Sequence, residues 1–142
     1  MEPIEPLFLH HVGFVVPDIN VGMEAFVQSL NASWDGTIYA DPLQKVKVAF
    51  LTTRSGDAQI ELVSPDGPDS PVLRFLNEHG GGMHHVCYEV DNLEAQIAAL
   101  KSRGALIMRR PKPAVAFQDR RIAWMLTREK LLVELLEKNL HP

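Results

Sequence analysis

Four side chains in this 142-residue sequence have the types and spacing of a metal-ligand set. His11 stands in HHVGFVVPDI (10–19) and His85 in HHVCYEVDNL (84–93), an offset of 74 (85 − 11). Glu61 stands in QIELV and Glu134 in LLVELL, an offset of 73 (134 − 61). A carboxylate within an apolar strand is costly to bury unless it is paired or bound to a cation. Two imidazoles and two carboxylates suit a divalent first-row ion such as Zn, Mn, Co, Ni or Fe(II), and no thiolate set is on offer. Each histidine is one of an adjacent pair, so either member is a candidate. Because side chains alternate along a strand, His10, Val12, Phe14 and Val16 share one face, as do His84, Val86, Tyr88 and Val90. That bulky apolar set is the expected core side. It leaves His11 and His85 opposite, beside the small Gly13 and Cys87. His79 and His141 fall in turn and tail contexts and read as surface residues.

The matched offsets require a duplicated scaffold to hold these residues. After each histidine comes an alternating strand, then a turn (Pro17-Asp18, Asp91-Asn92), then apolar residues at helical spacing over roughly 21–30 and 93–103. Asp91 and Glu94 have capping-box spacing, and Gly104 stops the second helix. Further on, VKVAFLTTRSGDAQIELVSP and RRIAWMLTREKLLVELLEK each read as strand, tight turn, strand. The intervening SPVLRFLNEHGGG reads as a helix capped by Ser70, with Pro71 in its first turn and glycines 80–82 at its end. The expected class is α+β: two tandem βαβββ modules at about 7–66 and 82–138, joined by a helix at about 70–80. They would form a cupped mixed sheet around a metal site, in one domain covering residues 1–142.

Composition narrows the function classes. A net charge of −4, from 14 basic and 18 acidic side chains, gives no field suited to nucleic acid or anionic lipid. No apolar run has transmembrane length and no basic signal region is present. The lone Cys87 fits a reducing compartment, so the expected location is cytoplasmic.

Taken together, these motifs resemble the vicinal oxygen chelate (glyoxalase/bleomycin resistance/dioxygenase) superfamily. Within it the chain is most similar to methylmalonyl-CoA epimerases, through GGGMHHVCYEVDNLEAQIAALKSRGA, QIELVSPDGPDSPVLRFL and LLVELLE. The resemblance implies one divalent ion on His11, Glu61, His85 and Glu134, with Glu134 acting also as a catalytic base. Relatives carry Gln or Glu at the position of Glu61, and glyoxalase I enzymes use a glutamate there. The epimerases place a second base just before the strand VKVAFL. Here that position is Leu43, or Gln44 with a one-residue shift, and neither accepts a proton usefully. Asp41 is the only nearby carboxylate; it either substitutes as a second catalytic residue or serves the turn in ADPLQ.

The same resemblance implies a small-molecule substrate, an acyl-CoA, and a homodimer, with no nucleic-acid or membrane partner. The CoA phosphates would call on cations among Lys45, Lys47, Arg109, Arg110, Lys112, Arg120 and Arg121. Lys47, Phe117, Gln118 and Arg121 are the expected substrate contacts. The Pro-punctuated RRPKPAVAFQDRR reads as a loop near the cleft mouth. The activity this implies is metal-dependent epimerisation or isomerisation by proton transfer α to a carbonyl, the ion stabilising an enolate. One alternative is a glyoxalase I-like lactoylglutathione lyase, although MEAFVQSLNASW lacks the FY…LG signature of those enzymes. Another is a non-catalytic binding or resistance protein, against which four intact ligand positions argue. Extradiol dioxygenases, with two His and one Glu around Fe(II), are more distant.

Overall fold

The computed structural model describes residues 7–52 and 59–139, so the tight turn expected within VKVAFLTTRSGDAQIELVSP and the placement of His141 lie outside the described residues. Contacts divide the chain into two compact units, His11–His84 and His85–Pro142, the second joined by the N-terminal segment up to His10.

The first unit contains β1 (Phe8–Val15, from His11 on), α1 (Ile19–Leu30), β2 (Tyr39–Asp41), β3 (Val46–Thr52), β4 (Gln59–Pro65) and α2 (Leu73–His79). Its strands run in the order β2-β3-β4-β1, with β4 parallel to β1 and antiparallel to β3. The second contains β5 (Gly82–Val90, from His85 on), α3 (Leu93–Ser102), β6 (Leu106–Pro113), β7 (Arg121–Leu126) and β8 (Leu132–Glu137). Its order is β6-β7-β8-β5, with β8 parallel to β5 and antiparallel to β7. Numbered within each unit, both orders are second, third, fourth, first. The fold is α+β with two βαβββ modules, as the duplicated sequence implies.

Local chemistry fixes the helix ends. The Asp18 side chain accepts the Val21 amide at 3.0 Å and opens α1. At α3 the cap is Asn92, whose side chain accepts the Ala95 amide at 3.0 Å, rather than the expected Asp91–Glu94 box. Glu94 turns instead to Arg121, 2.8 Å away. The connecting helix α2 starts at Leu73 with Val72 as its cap residue and no side-chain cap, later than the expected start at Ser70 and Pro71. Ser70 offers only its carbonyl, which accepts the Leu73 amide at 3.2 Å. Gly80 ends α2 in the left-handed region. The next residue, Gly81, has φ +108°, and a Cβ there would lie 2.7 Å from the Val15 carbonyl oxygen. Gly81→Ala is therefore expected to destabilise the protein by more than about 1 kcal/mol, read as a lower urea midpoint. An unchanged midpoint would contradict this close approach.

In each unit one sheet face packs on a helix. Ile19 and Met23 of α1 meet Ala49, Leu51 and Leu62, while Leu93 of α3 meets Ala123, Met125, Val133 and Leu135. Phe14 and Tyr88 belong to these helix-side clusters, as alternation predicts, yet both are only half-buried. The opposite positions, His11, Gly13 and Val15 on β1 and His85 and Cys87 on β5, are buried, as are Val16 and Val90 on the helix side.

The stretch expected to be a loop after residue 108 is instead an edge strand continuing through Pro113. Proline lacks a ladder donor but is tolerated at edges and bulges, and β6 has both features. Among the described residues, no helix is long and apolar enough to cross a membrane.

Candidate functional site

In the first unit Glu61 sits on β4 between Ile60 and Leu62, both turned to the α1 cluster, so its carboxylate leaves on the other face. The register sets Gly13 beside it on β1 and Phe50 beside it on β3. His11 Nε2 lies 3.4 Å from Glu61 Oε1, with the two side chains 0% and 5% exposed. The second unit repeats this construction. Val133 and Leu135 face the helix, Glu134 turns away, and Cys87 and Trp124 are its cross-strand neighbours. His85 Nε2 lies 3.5 Å from Glu134 Oε1, the side chains 2% and 3% exposed.

The sequence reading missed one member of each set. The Phe50 ring stands edge-on to His11 at 5.8 Å, and the Trp124 ring edge-on to His85 at 4.7 Å. Phe50 and Trp124 are 74 positions apart (124 − 50), the same offset as the histidines, so the signal was present in VAFLTT and IAWMLT. Such edge-to-face packing holds an imidazole plane in place and fills space that water would occupy. The neighbouring histidines have ring partners of their own. His10 rests against Phe117 at 5.4 Å and His84 against Phe75 at 4.9 Å.

Each unit thus holds one nitrogen and one carboxylate oxygen donor, buried and close together. Their separations exceed those of charge-assisted hydrogen bonds, about 2.7–2.9 Å. They equal the spacing of two donors that share an ion at tetrahedral angles with bonds of about 2.1 Å. Chemically and geometrically, each His–Glu pair fits one edge of a divalent metal site.

The other anticipated residues have placements and partners of their own. Asp41 is buried at the end of β2, where Oδ1 accepts the amides of Leu43 (3.0 Å) and Gln44 (3.1 Å). Its Oδ2 accepts the Gln44 side-chain amide at 2.9 Å. Asp41 pairs with Val46, whereas Glu61 pairs with Phe50, four residues or roughly 13 Å further along β3. Its visible task is the turn. Lys47 is exposed and alternates onto the face opposite Glu61, and Lys45 pairs with Asp69. Phe117 is buried between His10 and the guanidinium of Arg120. Gln118 is exposed in the left-handed turn that follows. Arg121 lies on the helix side, bound by Glu137 and Glu94 at 2.8 Å each. Its hydrogen bonds to Glu137 and then Glu94 hold the guanidinium above its usual pKa range. Arg120 is bound by Glu89 at 2.9 Å.

Comparison with known proteins agrees with this architecture. The chain is 32% identical over 118 residues to an ethylmalonyl-CoA/methylmalonyl-CoA epimerase of Cereibacter sphaeroides, covering 82% of this chain and 86% of that protein. It is 36% identical over 96 residues to the mitochondrial methylmalonyl-CoA epimerase of Mus musculus, covering 67% of this chain and 52% of the other. The chain therefore spans about half the length of such mammalian relatives. The crystal structure of methylmalonyl-CoA epimerase from Mycobacterium tuberculosis superposes with a TM-score of 0.83 at 25% identity, over 98% of this chain and 93% of that one. A sequence profile described as Glyoxalase/Bleomycin resistance protein/Dioxygenase superfamily matches residues 10–124. With that match spanning most of both modules, the chain belongs to the glyoxalase/bleomycin resistance protein/dioxygenase superfamily.

Proposed function

We propose that this chain is a metal-dependent isomerase or epimerase that moves a proton α to the carbonyl of an acyl-CoA thioester. His11, Glu61, His85 and Glu134 are the proposed ligands of a single first-row divalent ion. The observation that carries the reading is the duplicated buried His–Glu pair, at 3.4 Å in one unit and 3.5 Å in the other. The similarity to ethylmalonyl-CoA/methylmalonyl-CoA epimerase supplies the substrate class. A divalent ion bound there supplies positive charge where the carbonyl oxygen gains electron density as the α proton leaves.

The chain's own residues handle the proton. Glu134 is the proposed base, turned off the helix-side core by the alternation of β8. Trp124, its cross-strand neighbour, holds the His85 ring and shields the carboxylate from bulk water. At the position where the epimerases carry a second base, Leu43 and Gln44 offer no carboxylate, and Asp41 is engaged at its turn. One base then removes and returns the proton on the same side, and inversion lags behind exchange. The reading extends to a homodimer in a reducing, cytoplasmic setting.

Proton NMR of methylmalonyl-CoA in deuterium oxide, with Co(II), Mn(II), Zn(II) or Ni(II) supplied, tests this directly. The expected result is enzyme-dependent deuterium entry at the α carbon that outpaces loss of optical activity. No exchange with any of these ions removes the substrate; exchange and inversion at equal rates restore a second base.

A further inference from the structure

We propose that Arg109 and Lys112 form an oxyanion-binding subsite on the Glu134-bearing face of the second unit, for a carboxylate or phosphate of the substrate. This rests on the reading of Glu134 as a group that faces substrate. The register of β6 carries the argument. Leu106 pairs with Leu126 and Ile107 with Met125, and Ile107 packs on the helix-side cluster. A regular strand continuing from Ile107 would turn Arg109 to that same helix side. Instead the register shifts, and Arg109 pairs with Trp124. Met108 is the extra residue, and such bulges re-aim side chains. Arg109 therefore shares one row and one face with Trp124 and Glu134, two interstrand spacings or about 10 Å from the latter.

A second shift follows. Arg110 and Pro111 share the place opposite Ala123, whose side chain lies in the helix-side core, and Lys112 comes to pair with Ile122. Ile122 is two residues from Trp124 on β7, so Lys112 joins Arg109 on the Glu134 face, roughly 7 Å along the strand. Both side chains are exposed, and among the described residues neither takes part in an ion pair. The nearby Arg120 and Arg121 differ, each being held by carboxylates of its own unit. Two irregularities within one edge strand thus deliver two available cations to the face that carries the proposed base. Arg110, between them and of equal charge, is sent to the other side.

That neighbour is the control. Calorimetric titration of the metal-loaded protein with acetyl-CoA, S-acetylpantetheine and malonate reads binding without turnover, so it stands apart from the exchange assay above. Arg109→Gln and Lys112→Gln are each expected to weaken at least one anionic probe by about tenfold, the scale of a charge-assisted hydrogen bond. Arg110→Gln should change it less than twofold. If the anion is a phosphate, acetyl-CoA weakens and S-acetylpantetheine does not. If it is a carboxylate, malonate weakens. Equal effects of Arg109→Gln and Arg110→Gln would reduce the subsite to net charge and overturn it. So would a parent protein that binds none of the probes, or variants that bind all three as the parent does.

Discussion

Glu134→Gln is expected to lower α-proton exchange by about 10³-fold, within the range that general-base catalysis contributes, whereas Glu61→Gln should lower it less than about tenfold. The two glutamates are structurally alike: each is buried, lies 3.4 or 3.5 Å from a histidine, and has an aromatic residue as its cross-strand partner. If both were only ligands, converting either to an amide would weaken the site similarly. The proposed asymmetry arises because an amide oxygen can still coordinate but cannot take a proton. Resemblance to the epimerases, where Gln or Glu occupies the position of Glu61, points the same way. Metal content measured alongside the rates separates the roles. Loss of exchange in Glu134→Gln with the ion retained assigns the base; equal losses in both variants would remove that assignment.

Loading the protein with Co(II) or Mn(II) should raise its Tm by roughly 10 °C, and His11→Ala or His85→Ala should abolish most of that rise. The magnitude follows from linkage. A ligand present at 100 to 1,000 times its Kd and bound only by the folded state stabilises it by about 2.7–4.1 kcal/mol. For a domain of this size each kcal/mol shifts Tm by about 2–8 °C. The sign follows from burial, since two carboxylates inside a protein are destabilising until a cation balances them. Elemental analysis should give one ion per chain in the parent and well below one in either histidine variant. Undiminished metal in both variants would mean that the ligand set is misassigned, whatever happens to activity.

Much of the architecture was legible because it depends on local periodicity and duplication. Alternation along HHVGFVV and HHVCYEV separates His11 and His85 from their neighbours, and the structure pairs them with Glu61 and Glu134 respectively. The same periodicity explains why each glutamate can stand in an apolar strand, its flanking residues turned to a helix and its carboxylate turned away. Phe50 and Trp124 were equally legible in principle, since they obey the histidines' offset. A search confined to ligating side chains passes over them.

Tertiary structure decided the roles of the remaining charged and aromatic residues. The resemblance to acyl-CoA enzymes implies a phosphate contact at Arg121, but its guanidinium is taken by Glu137 from β8 and Glu94 from α3, partners 16 and 27 residues away (137 − 121, 121 − 94). Phe117 is drawn under His10, and Asp41 is held by the turn it caps. Whether Arg109 falls on the helix side or on the row of Trp124 and Glu134 depends on an extra residue at Met108, which only pairing with β7 reveals. The physical reason is common to all of these. A strand's period is written in its own residues, whereas register and ion pairing are set by whatever distant segment comes to lie alongside, and a one-residue slip reverses every side chain.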